Sequence, residues 1–226
     1  MKHLLPENVR EQDWAREIAT FKPSICHFDL FLGFEGDITQ HGATRSNQWF
    51  YQSWDTNDAI WSGGSEPIPM AFVSFPSLKD PTHAPGPTNK QTGDMLIWAD
   101  WSSVAQFADG DRDNYADEWA SFKSTVESRM LELFEEKFPK LAPLIVYHEL
   151  GTPLATAAFT GHEKGGFYGV ETTPRRMLSD SLNARTPVPG LFLAGQDVMC
   201  PGIAGALAGG MFGAAAVDPR IFQELR

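Results

Sequence analysis

From Ser24 to Gly33 the chain alternates: Cys26, Phe28, Leu30 and Leu32 fall on one side, and Ile25, His27, Asp29 and Phe31 on the other. A period of two predicts a strand, and both sides are apolar enough to be covered. A second strand is predicted at Pro69 to Phe75. A third is predicted at Asp94 to Trp101, where Met95, Ile97, Ala99 and Trp101 oppose Leu96, Trp98 and Asp100. The connection between these two is long and polar, with a proline-rich loop from Pro81 to Pro87, which suits antiparallel neighbours better than a crossover. Leu144 to Glu149 predicts a fourth strand. Between the third and fourth, Tyr115, Trp119, Phe122, Val126, Met130, Leu133 or Phe134, and Phe138 recur at threes and fours. They predict one long helix over Asp111 to Phe138, capped by Asp113 and stopped by Pro139. A shorter helix is predicted around Val9 to Ala19, with Trp14 and Ile18 one turn apart and Pro23 beyond it. Together these elements predict an α+β fold with a mixed or antiparallel sheet.

The pattern changes between Thr186 and Gly213. Pro187 and Pro189 precede a short apolar run, Leu191 to Ala194, that reads as a buried strand. Gly195 ends it, Asp197 follows, and Pro201-Gly202 opens a helix of small residues from Ile203 to Ala216. Gly205, Gly209, Gly210 and Gly213 would each cost a free helix about 1 kcal/mol relative to alanine. Close approach to another backbone or to a flat ligand offsets that. A carboxylate at a strand end facing a helix N-terminus suits a ligand with hydroxyls and an electron-rich edge. A tight strand-turn-helix without ligand fits the spacing equally well.

The 226 residues, 42% of them apolar, can bury one large or two small cores. Eighteen basic against 29 acidic residues give a net charge of −11, with no basic run. That argues against nucleic acid and against electrostatic docking on anionic lipid. Cys26 and Cys200 have no metal spacing and suit a reducing compartment. No signal-peptide core and no transmembrane-length run is found. The expectation is a cytoplasmic protein, with peripheral membrane association left open. Neither His-Glu-x-x-His nor Gly-x-Ser-x-Gly occurs.

Several side chains could carry chemistry. His27 and Asp29 read as hydrogen-bonded sheet residues before they read as catalytic ones. Trp49, Phe50, Tyr51 and Trp54 could wall an apolar pocket or simply pack a core. His162, Glu163 and Lys164 read as a solvated loop. His148 and Glu149, at a strand end, are the better acid/base candidates.

Two stretches carry a resemblance. Pro189-Gly-Leu-Phe-Leu-Ala-Gly-Gln-Asp197 followed by Pro201-Gly-Ile-Ala-Gly-Ala206 is similar to the C-terminal FAD-binding segment of the phytoene desaturase, carotenoid isomerase and retinol saturase group, within the amine-oxidase-like flavoproteins. Gly151-Thr-Pro-Leu-Ala-Thr-Ala-Ala-Phe-Thr-Gly161, then Gly165-Gly-Phe-Tyr-Gly169, resembles two further elements of that group. The resemblance covers about the last third of the chain. It implies FAD as cofactor and an apolar, carotenoid- or retinoid-like substrate, with hydride transfer at a carbon–carbon bond or isomerisation by reduced flavin. It implies cofactor contacts at Gly195, Gln196, Asp197, Gly202, Ile203 and Ala204, and aromatic substrate walls at Phe167 and Tyr168. Gln196 intervenes where relatives often place the acidic residue directly after glycine, so the carboxylate register can differ by one.

The Gly-x-Gly-x-x-Gly fingerprint that holds a pyrophosphate is absent. The expectation is therefore a C-terminal portion: substrate-domain residues 1–180, and residues 181–226 as the flavin-contacting strand-turn-helix of an FAD domain whose Rossmann half is missing. A non-catalytic fragment or subunit, completed by a nucleotide-binding polypeptide or by self-association, is the first alternative. A flavin amine oxidase ranks lower, because no paired aromatic cage for an amine lies near the C-terminal motif.

Overall fold

The computed structural model describes residues 4–108 and 116–224, and the chain divides into two units, residues 26–165 and residues 1–25 with 166–226. Helices α1 (Glu7–Arg10) and α2 (Asp13–Ile18) come first. They replace the single helix expected over Val9 to Ala19, because Gln12 is extended between them and its side chain accepts the Trp14 indole N–H at 2.9 Å.

The unit of residues 26–165 is built on an antiparallel sheet. Its strands are β1 (Cys26–Glu35), β2 (Gln48–Tyr51), β3 (Met70–Ser74), β4 (Lys90–Ala99) and β5 (Ile145–Gly151), in the order β2-β3-β4-β1-β5. The alternation expected of β1 holds: Cys26, Phe28, Leu30, Leu32 and Phe34 are buried, while His27, Asp29 and Phe31 point to the other face. Strands β3 and β4, expected as antiparallel neighbours, pair as such, with Phe72 opposite Leu96. Helix α3 (Ala116–Lys137) lays Val126, Met130 and Phe134 on the sheet core, where the Phe134 and Phe34 rings lie 6.0 Å apart. The expected beginning of this helix at Asp111, with Asp113 as cap and Tyr115 in its first turn, lies outside the described residues.

Strand β2 is an addition to the expected sheet. Its mixed polar and aromatic residues sit at the edge, where Trp49 and Tyr51 are exposed while Phe50 packs toward Phe138. Helix α4 (Pro153–Thr160) follows β5 directly. Thr152 accepts the Ala155 N–H, Pro153 occupies the first turn and Gly161 closes the helix at φ 70°, the start and stop chemistry of a short helix. The turn at residues 163–165 is locked on it: a Cβ at Gly165 would collide with the Pro153 carbonyl oxygen.

In the other unit, α5 (Pro174–Met177), α6 (Ile203–Val217) and α7 (Ile221–Glu224) follow. The buried strand expected at Leu191–Ala194 is instead an extended stretch with a single bridge, Phe192 to Arg185, and its residues are half-buried or exposed. Its backbone is satisfied locally: Leu191 donates to Val188 and Leu193 to Ala184. The expected glycine helix is α6.

Candidate functional site

A cavity of about 810 Å³ opens where β5 gives way to α4, bordered by β1 and the first turns of α3. Phe31, Phe107, Trp119, Leu154 and Phe159 supply apolar wall, and His27, Asp29, Lys123, Glu149 and Thr152 supply polar groups. The backbone comes close here because Gly151 has no side chain; a Cβ on it would meet the Phe31 ring at 3.1 Å.

The polar groups are not equivalent. Asp29 on β1 and Asp94 on β4 share a sheet face in diagonal register, since Asp29 pairs with Leu96 and Phe31 with Asp94. Asp94 hydrogen-bonds the Asp29 carboxyl. Oδ1 of each is buried without a hydrogen-bond partner among the described residues. Burial first, then the hydrogen bond and charge of Asp94, push Asp29 up from 3.8 to about 9. The carboxyl is therefore protonated at neutral pH. Burial lowers His27, against the pull of Asp94, and keeps its imidazole neutral.

His148 and Glu149 lie on opposite faces of β5. Adjacent residues of a strand face opposite ways, so Glu149 lines the cavity and accepts the Tyr147 hydroxyl at 2.5 Å, while His148 Nδ1 meets Glu127 Oε1 of α3 at 2.9 Å. Trp49, Phe50, Tyr51 and Trp54 are absent from the cavity wall. Phe167 and Tyr168 belong to the other unit, their ring centroids 4.1 Å apart, and do not line this cavity either. Among the described residues no group of three His, Cys, Asp or Glu could hold a metal ion.

The segment expected to contact a cofactor lies in the unit of residues 1–25 and 166–226. Gly195 (φ 95°) and Gly202 (φ 91°) bracket a tight turn, and a Cβ at either would meet nothing within 4 Å. Asp197 is anchored: its Oδ1 accepts the Val170 N–H at 3.0 Å and lies 3.5 Å from the Arg176 guanidinium. Arg176 is buried and also donates to the carbonyls of Val170 and Gln196 at 2.8 and 2.9 Å. Gly169 leaves room for this contact, because its Cβ would sit 2.8 Å from both Asp197 oxygens. The Gln196 side chain accepts the Gly202 N–H at 3.4 Å. Helix α6 then begins with Ile203 and Ala204 exposed. Its first intrahelical bond runs from the Ala206 N–H to the Gly202 carbonyl, so the N–H groups of Ile203 and Ala204 lack intrahelical acceptors.

The sequence places Asp29 and Asp94 on strands without joining them: they are two carboxylates on the same side of two strands expected to be strongly apolar. Pairing β1 with β4, which no local pattern specifies, was the missing information.

No family model matches the chain. Over its full length it is 26% identical to all-trans-retinol 13,14-reductase of Rattus norvegicus, and it spans 39% of that protein. It is 26% identical over 93% of its length to the Danio rerio protein of the same name, spanning 36% of that relative. A stretch covering 61% of the chain is 29% identical to the chloroplastic prolycopene isomerase of Arabidopsis thaliana, 22% of whose length it spans.

Proposed function

The chain belongs to the retinol saturase and carotenoid isomerase group, and on that premise we propose that it is part of an FAD-dependent oxidoreductase acting on carbon–carbon double bonds of an apolar, retinoid- or carotenoid-like substrate. The observation that carries the reading is the cavity, whose aromatic and aliphatic wall with a few convergent polar groups suits a long apolar ligand.

The residues fit a flavin at the start of α6. The N–H groups of Ile203 and Ala204, at the positive end of a 15-residue helix, would hold the electron-rich edge of the ring. The open space at Gly195 and Gly202 would let it approach the backbone. Asp197 and Gln196 hold the turn that presents these amides, and the Asp197 side chain, 40% exposed, retains surface for a cofactor hydroxyl. When bound, the reduced cofactor supplies a hydride. In the cavity, Phe31, Trp119 and Phe159 would offer apolar surface along which the substrate chain aligns. The Gly-x-Gly-x-x-Gly fingerprint does not occur in these residues, so the reading assigns them the ring end of the cofactor and leaves its pyrophosphate to other polypeptide.

The test has two steps. The chain is dialysed after addition of FAD and its visible spectrum recorded. It is then incubated anaerobically with reduced FAD and all-trans-retinol, and the products are resolved by chromatography and mass. Retained flavin bands and a product heavier by two hydrogens are expected. A colourless protein that also fails to bind all-trans-retinol in a fluorescence titration contradicts the reading, because the cavity belongs to this chain alone.

A further inference from the structure

Resting on the reading above, we propose that Asp29, backed by Asp94, is the catalytic acid that protonates a carbon of the substrate held in the cavity.

Saturating a double bond adds two hydrogens and one electron pair. The pair arrives with the hydride at one carbon, and the other carbon must take a proton. A positioned side-chain acid protonates a carbon far faster than water does, so a group in the cavity wall is the expected source of that proton. The holder must be protonated at working pH and must reach the ligand.

Asp29 meets both conditions. It lines the cavity. Its neighbour Asp94 is not among the lining residues and approaches from β4 on the same sheet face. Two adjacent carboxyls in a buried setting do not both ionise readily, so the pair retains a proton. The groups facing Asp29 are His27 on its own strand, Asp94 on β4, Glu149 on β5 and Lys123 on α3, while Thr152 begins the cap of α4. Of these, Glu149 is engaged by Tyr147, and His27 is held neutral by burial. The buried Asp29 Oδ1, lacking a hydrogen-bond partner among the described residues, is the kind of atom a native core rarely leaves without a use.

The step balances. The Asp29 O–H bond breaks as a C–H bond forms on the carbon adjacent to the one that receives the hydride. The O–H electron pair stays on the carboxylate. The pair of carboxylates, now carrying one more negative charge, takes a proton back from water once product leaves.

Asp29→Asn, the neutral isostere of the protonated acid, provides the test. The variant is expected to bind all-trans-retinol normally, read by quenching of tryptophan fluorescence, while turnover falls about 100-fold or more. Asp94→Asn removes the neighbouring charge and is expected to shift the alkaline limb of the wild-type rate profile to lower pH, which a purely structural role would not do. Turnover of Asp29→Asn within a few-fold of wild type, or a limb unmoved in Asp94→Asn, overturns the proposal.

Carboxyl NMR of the 13C-aspartate-labelled chain separates this proposal from the flavin reading. The Asp29 resonance is assigned by its loss in Asp29→Asn. Ionisation of that group at pH 7, or no response to added retinol, overturns the proposal whatever the turnover. A protonated resonance that shifts with retinol, in a chain that reduces nothing, supports Asp29 as the acid facing the ligand and counts against the flavin reading alone.

Discussion

A methyl group placed on Gly209 would collide with the carbonyl oxygen of Gly195. The glycine face of α6 is therefore filled by the chain's own turn. Gly205 and Gly213 repeat the relationship, with the Cys200 carbonyl oxygen and the Ala194 side chain. Gly210 does not, since a Cβ there meets nothing within 4 Å.

The first prediction separates these glycines. Gly209→Ala must push backbone apart and is expected to cost about 3 kcal/mol or more. Gly210→Ala gains helix propensity without a clash and is expected to stabilise by about 0.5–1 kcal/mol. Urea unfolding of the two variants decides it. Equal stabilities would mean that the 195–200 turn does not pack on α6 as described.

The second concerns Arg176. Its guanidinium bridges two backbone carbonyls and Asp197 while buried. Arg176→Met leaves the Val170 and Gln196 carbonyls short of a donor and is expected to destabilise by about 2–4 kcal/mol. Arg176→Lys recovers only part of that, because an ammonium on a flexible stem lacks the planar fork that spans both acceptors. Thermal unfolding of the pair tests the order wild type, Lys, Met.

The sheet was legible as strands where short apolar runs were bounded by turn residues. Cys26 to Leu32 and Met95 to Ala99 read as strands, but both sides of each are largely apolar, so which face is buried had to come from the structure. The edge strand β2 was not legible, since Trp49 and Tyr51 are exposed aromatics beside polar residues, a pattern that fits surface and core equally. The Leu191–Ala194 run misled because apolar composition does not supply a strand partner; here the backbone bonds go to a turn and one bridge. The C-terminal turn and helix could be read from glycine spacing alone. The Asp29–Asp94 pair could not, because it exists only once two strands far apart in the chain are in register, and register is a property of the folded sheet.

The third prediction tests the cavity as a ligand site. Ala158 lies on its wall and is exposed, so Ala158→Trp adds bulk to the cavity without disturbing the core. It is expected to leave the melting temperature nearly unchanged, weaken all-trans-retinol binding by about tenfold or more, equivalent to about 1.4 kcal/mol, and leave FAD binding intact. Retinol affinity equal to wild type would place the ligand elsewhere.

The fourth is a pH dependence of stability with a definite sign. The folded chain holds a proton on Asp29 up to about pH 9, whereas an ordinary aspartate releases it near 3.8. Between those values the native state binds more protons than the unfolded one, so stability must fall as pH rises through the window and level off above it. His27 acts at the other end. Burial depresses its pKa, so the unfolded state takes up a proton first as pH falls through the ordinary histidine value of 6.5, and that contribution is lost toward acid. A carboxamide cannot ionise, so Asp29→Asn removes the alkaline loss and leaves the acid limb. The two proteins are expected to approach equal stability near pH 4 and to diverge with rising pH, the variant melting higher at pH 8–9 by on the order of several degrees. Melting curves recorded from pH 4 to 9 on both proteins are the measurement. Parallel curves would mean that Asp29 is already ionised in the folded chain, and its part in the chemistry of the cavity would fail with it.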